Sequence, residues 1–218
     1  MRQVLGYLPQ EFGVYPNITA QGLLDHVAVL KGITNSNERK EMVKYLLQKV
    51  NLYDKRKKLV KSFSGGMKQR VGIAQALIGN PQLIIVDEPT AGLDPRERIR
   101  FRNLLVELSR ERIVIFSTHI IEDISSSCNQ VAVINRGNLK YFGTPNDMVN
   151  MGNNFVWQFS IPAKEFDTFA NKQMIVHHMR DGDKIRVRCL AKEKPTHDAV
   201  NVSPHLEDAY LCLLKDFV

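Results

Sequence analysis

The chain has 218 residues, with 30 basic and 23 acidic side chains, a formal charge of +7, 44% apolar residues and 24% charged ones. This mix excludes a disordered or fibrous chain, and the length accommodates one domain of usual size plus a small appendage. Apolar runs such as Leu83–Val86 are far shorter than the about 20 residues that cross a bilayer, and Pro9 and Gln10 stand where an export signal would carry its apolar stretch.

Gln3 to Leu8 reads as a short strand ended by Pro9. Thr19 is a candidate N-cap for a helix through Lys31, with Leu23, Leu24, Val27 and Leu30 on one face. Asn37 is a candidate cap for a second helix carrying Met42, Val43, Leu46, Leu47 and Val50. Ser64-Gly65-Gly66 open a third, which Gly79-Asn80-Pro81 close. From Leu83 the pattern changes. Leu83–Val86, Ile113–Phe116 and Val131–Ile134 are short, mostly β-branched apolar runs, with helical segments at about Pro95 to Arg110 and Ile120 to Ser127 between them. Continuous apolar strands alternating with helices predict a parallel sheet covered on both faces.

Asn135-Arg136-Gly137-Asn138 predicts a turn into a hairpin strand, Leu139 to Phe142, and Gly143-Thr144-Pro145 a short helix start. Beyond Asn150 the character shifts. Met151 to Asn154 reads as a linker. Phe155–Ile161 and Lys184–Leu190 alternate like half-buried strands, while Pro162–Ala170 and His205–Leu214 read as helical. The expected organisation is therefore a domain over 1–150 and a small α+β appendage over 151–218. Cys128, Cys189 and Cys212, odd in number and without metal-ligand spacing, read as reduced, inert thiols of a cytosolic protein. Charge is uneven: Asn37 to Arg70 holds 11 basic and 3 acidic residues, an excess of +8. That stretch suits either a solvated helical surface or an anionic partner, and it lacks the interleaved aromatics of a stacking platform.

Four features carry chemistry. An apolar strand that ends in Asp87-Glu88 places two carboxylates at the crevice edge of a parallel sheet. One acid there can hold magnesium, and its neighbour can orient or deprotonate water. Phe63-Ser64-Gly65-Gly66-Met67 combines a serine cap with two glycines at a helix N-terminus, an arrangement that can receive a phosphate. His119 follows the strand Ile113–Phe116 and can bond a phosphate or hold a carboxylate. Gln10 ends the first strand, where an amide can reach a metal-bound water.

Taken in order with Ala91-Gly92-Leu93-Asp94, this set resembles the ATPase subunit of ABC transporters across about Val4 to Val149. In that resemblance Gln10 is the Q-loop residue, Phe63 to Met67 the signature motif, Leu83 to Asp87 the Walker B strand followed by Glu88, Ala91 to Asp94 the D-loop, and His119 the switch histidine. Asn80-Pro81 and Gly143-Thr144-Pro145 also agree with it. The resemblance implies a P-loop NTPase-like α/β fold, mainly a parallel sheet with helices on both faces, plus a helical subdomain over about 12–80. It implies ATP and Mg²⁺ as cofactors. Asp87 coordinates the metal with Gln10 sensing it, Glu88 polarises water, and His119 contacts the γ-phosphate and Glu88. Ser64, Gly65 and Gly66 meet ATP on a second ATPase subunit, and Asp94 crosses that interface. A transmembrane permease is the further partner, at the cytoplasmic face of the membrane, and no nucleic-acid partner is expected. Phe63 and Met67 depart from the commoner Leu and Gln, and His205 to Leu211 resembles, more loosely, the tail helix of ABC-2-type exporters.

No Gly-Lys dipeptide of a G-x-x-x-x-G-K-[ST] phosphate loop occurs in the chain, and only nine residues precede Gln10. The expectation is an ATPase subunit lacking its N-terminal P-loop portion, inactive alone and left with open sheet edges. A fragment or mis-assigned start, a split subunit paired with a separate P-loop polypeptide, and a degenerate subunit all fit. Two other functions fit the motifs as well: a soluble ABC ATPase acting on ribosomes or DNA, and a catalytically silent regulatory module.

Overall fold

The structure is a computed structural model that describes residues 4–11, 13, 17–215 and 217. The chain forms two compact units, Met1–Ile120 and Ile121–Val218.

In the first unit the elements are β1 (Leu5–Leu8), α1 (Ala20–Leu30), α2 (Ser36–Lys49), α3 (Gly65–Ala76), β2 (Leu83–Asp87), α4 (Pro95–Leu108) and β3 (Ile113–Ser117). The start of the first expected strand, Gln3, and the start of the expected helical subdomain, Phe12, lie outside the described residues. Each long helix starts on a polar cap. Thr19 Oγ1 accepts from Gly22 N at 3.0 Å, and Asp94 Oδ1 accepts from Glu97 N at 2.9 Å. The second cap is Asn35 rather than Asn37: its Oδ1 takes the N–H groups of both Asn37 and Glu38, so Asn37 lies inside the first turn as a donor.

Strands β1, β2 and β3 pair in that order, all parallel. The register aligns Leu8 with Val86 and Asp87 with Ser117, so the carboxyl ends of the three strands form one edge. One face carries Leu8, Ile84 and Val86 into a core shared with α1 to α4 and with Phe101, Leu105 and Leu108. The expected cover on both faces is not seen: on the other face Tyr7, Ile113 and Ile115 are at least half exposed. The third apolar run also pairs differently from expectation. β4 (Val131–Asn135), which follows α5 (Ile121–Ser127) in the second unit, pairs antiparallel with β5 (Asn138–Gly143) in a separate two-stranded sheet. The reason is local. Arg136 and Gly137, at φ 50° and 78°, reverse the chain tightly and bring the next strand alongside at once.

The rest of the second unit holds α6 (Pro145–Met151), β6 (Val156–Pro162), α7 (Phe166–Ala170), β7 (Met174–Asp181), β8 (Lys184–Leu190), β9 (Val200–Asn201) and α8 (Leu206–Leu214). A four-stranded sheet in the order β7-β8-β6-β9 packs Phe159, Ile161, Val187 and Cys189 against Phe166 and Phe169. Asp208, at 1% exposure, receives Arg188 Nη2 at 2.6 Å and Nε at 3.1 Å, and takes His205 N as well. A buried carboxylate is tolerable only when so completely partnered. The cysteines are free. Burial pushes the Cys189 thiol up to about 11; burial, then Asp208, does the same for Cys212, and burial, then Asp123, for Cys128. All three stay protonated near neutrality, which suits unreactive thiols.

The contact between sheet and α3 sets a tight constraint. A Cβ added at Gly6 would lie 2.3 Å from the Ala76 carbonyl oxygen, a backbone atom that cannot swing aside. Gly6→Ala is therefore expected to lower stability by about 1–3 kcal/mol. The urea midpoint measures this, and an unchanged midpoint would show that β1 does not press against the end of α3.

Candidate functional site

The carboxyl edge of the parallel sheet gathers the reactive groups. β2 ends in Asp87 because its apolar run stops there, and the register sets Ser117 of β3 directly beside it. The Ser117 hydroxyl donates a short hydrogen bond to Asp87 Oδ1. Glu88 N donates to Ser117 Oγ at 3.0 Å and to Ser117 O at 3.2 Å. Ser117 thus ties both acids to β3. Glu88 itself has φ 45°, the left-handed region that a side chain with a Cβ resists, and three backbone and side-chain bonds at this turn hold it there. Ala91 N closes the turn on Glu88 O at 3.2 Å.

His119 enters the same gap. Its Nδ1 lies 2.7 Å from Glu88 Oε2, with the imidazole 71% exposed and the carboxylate 19% exposed. The distance is that of a close polar contact. Glu88 Oε2 is buried from solvent, with the His119 ring as its recorded ionic neighbour. Asp87 accepts from Ser117 through one oxygen, Oδ1. Hard carboxylate oxygens at a strand edge are the donor type magnesium takes alongside water and phosphate, so the residues present fit that ion. Gln10, exposed and two residues beyond Leu8, falls at the same edge through the Leu8–Val86 alignment.

The glycine-rich segment is built separately. Ser64 is the N-cap of α3, its Oγ accepting from Met67 N at 3.3 Å, which leaves the hydroxyl proton free to donate. Gly65 is exposed, and a Cβ there would meet only Leu93 Cδ2 at 3.8 Å. Gly66 is packed closely: a Cβ there would lie 2.8 Å from Glu97 Oε2, so Glu97 would have to shift to admit it. Glu97 also pairs with Arg70 Nη2 at 3.3 Å and Arg100 Nη1 at 2.6 Å, so it clamps α3 to the start of α4. Asp94 is the exposed N-cap of α4.

Hence Asp87 and Glu88 are joined through Ser117, His119 meets Glu88, and Gln10 follows β1 at the same sheet edge, while Ser64, Gly65, Gly66 and Asp94 lie at the starts of α3 and α4. Sequence reasoning missed Ser117 and Glu97. Ser117 was discoverable by aligning the two apolar strands end to end. Glu97 offered only its third position after a capping Asp94. Relief of the backbone strain at Glu88 is measurable: Glu88→Gly is expected to raise stability by about 0.5–1 kcal/mol in urea unfolding. A destabilised variant would show that the Glu88 side chain holds the turn rather than burdening it.

Comparison with known proteins agrees with this arrangement. Residues 1–91 match the family model described as ABC transporter. The uncharacterized ABC transporter ATP-binding protein YxlF of Bacillus subtilis is 33% identical over 96% of this chain and 76% of its own length. The ATP-binding protein sll0415 of Synechocystis is 30% identical over 99% of the chain and 63% of its own length. The linearmycin resistance ATP-binding protein LnrL of Bacillus subtilis is 32% identical over 73% of the chain and 52% of its own length. The chain thus spans between about half and three quarters of these relatives, and it belongs to the family of ABC transporter ATP-binding proteins.

Proposed function

We infer that this chain supplies ATP hydrolysis for export of a substrate through a separate transmembrane permease, working with a second ATP-binding subunit at the cytoplasmic face of the membrane. The observation that carries the reading is the 2.7 Å approach of His119 Nδ1 to Glu88 Oε2 beside Asp87. The export direction is supported by the resistance named for LnrL. Among the described residues no helix is long and apolar enough to cross a membrane, in keeping with a separate membrane partner.

Bound ATP and magnesium supply the electrophilic phosphorus and neutralise charge on the leaving phosphates. In this reading Asp87, fixed by the Ser117 hydroxyl, holds the metal, and Gln10 reaches it from the end of β1. Glu88 takes a proton from water, while His119 steadies that carboxylate through Oε2 and turns its other ring nitrogen toward phosphate. Ser64, Gly65 and Gly66 present a hydroxyl and backbone N–H groups at the α3 N-terminus to a γ-phosphate held by the partner subunit, with Asp94 at the shared interface. The ATPase domain extends through about residue 150, its helical subdomain covers about 12–80, and residues 151–218 form the appendage. Because these 218 residues contain no Gly-Lys phosphate loop, the chain alone turns over no ATP.

Glu88→Gln in the intact assembly is expected to reduce ATP turnover by at least about 100-fold while MgATP binding persists. Unchanged turnover would contradict the assignment of Glu88 as the base.

A further inference from the structure

Ser117 touches both acids at the carboxyl edge of the sheet, although it belongs to none of the motifs that carry the family resemblance. The bond directions fix its hydroxyl proton. Glu88 N is a donor, so Ser117 Oγ accepts from it at 3.0 Å. A hydroxyl has a single proton and a carboxylate only accepts, so that proton lies on the bond to Asp87 Oδ1. This is the one hydrogen bond to the Asp87 side chain among the described residues, and it leaves Oδ2 without such a partner. The last torsion of an aspartate is otherwise broad. The Ser117 hydroxyl therefore decides which Asp87 oxygen is engaged and which is available.

The turn itself has other supports. Glu88 N also donates to the Ser117 carbonyl oxygen at 3.2 Å, and Ala91 N to Glu88 O at 3.2 Å. Both bonds are made by backbone atoms and do not need the Ser117 side chain. Ser117 is exposed, so its side chain adds little to the core. What the side chain alone supplies is the proton on Asp87.

We propose that Ser117 is a positioning residue for the metal-binding carboxylate: its hydroxyl holds Asp87 by Oδ1 so that Oδ2 takes the divalent cation. The inference rests on the reading of Asp87 as the metal ligand. Removing a group that hydrogen-bonds a ligating carboxylate ordinarily costs about 10- to 100-fold in metal affinity.

Ser117→Thr and Ser117→Val differ by the hydroxyl in nearly equal volume, and both β-branched side chains suit a strand. Mn²⁺, which takes the same oxygen ligands as Mg²⁺, is the probe. It is added to the full chain without nucleotide and read by paramagnetic broadening of the amide signals of residues 87, 88 and 117. Ser117→Thr is expected to broaden at the Mn²⁺ concentration of the unaltered chain, and Ser117→Val to need at least about tenfold more. Equal responses of the two variants, both strong or both weak, would overturn the proposal and leave Asp87 as the metal ligand. A merely structural role would lower the urea midpoint of Ser117→Val and leave its Mn²⁺ response unchanged. No broadening in the unaltered chain, or broadening that persists in Asp87→Asn, would overturn the proposal together with the metal reading. Should Ser117→Val fail to fold, Ser117→Ala takes its place.

Discussion

The parallel pairing of β2 with β3 is the constraint on which the site depends. Asp87 and Ser117 are 30 residues apart in sequence, and the ladder places them side by side. From that pairing follow the hydroxyl on Asp87, the double acceptance of Glu88 N, and the entry of His119 two residues further along. Strand side chains alternate faces, so a one-residue slip would carry Asp87 away from Ser117 and bury the wrong half of β2. The apolar residues prevent it. Ile84 and Val86 are wholly buried, and they can be so only in this register.

The same edge shows what the site costs in stability. Glu88 holds a positive φ, and its Oε2 is buried beside the His119 ring. The positive φ of a residue with a Cβ does not help folding, and backbone strain of this kind clusters at functional sites. Gly66 and Glu97 show a packing constraint: the glycine at the start of α3 makes room for the carboxylate that clamps α3 to α4.

Legibility from sequence followed the range of the forces involved. Thr19 and Ser64 were readable because a cap acts within a single turn, whereas Asp94 was not read as the cap of α4. Leu83, Ile113 and Val131 were readable as strand starts because short β-branched runs have few alternatives. The partner of Val131–Ile134 was not readable, since the apolar run fits a parallel neighbour as well as the antiparallel one that the Arg136-Gly137 turn supplies. β7 was missed because His177, His178 and Arg180 break its apolar alternation; it is held by its pairing with β8 instead. The acid pair and His119 stood out chemically, but their 2.7 Å meeting is a product of tertiary pairing.

The most direct measurement is a nuclear Overhauser map of the strand ends in the labelled full chain. Cross-peaks from the Glu88 amide to the Ser117 β-protons, together with contacts between the Glu88 side chain and the His119 ring, are the expected result. If the Glu88 amide instead sees a residue one step along β3, or if the His119 ring shows no contact with Glu88, the carboxylates and the imidazole do not share a gap and the account of the site fails.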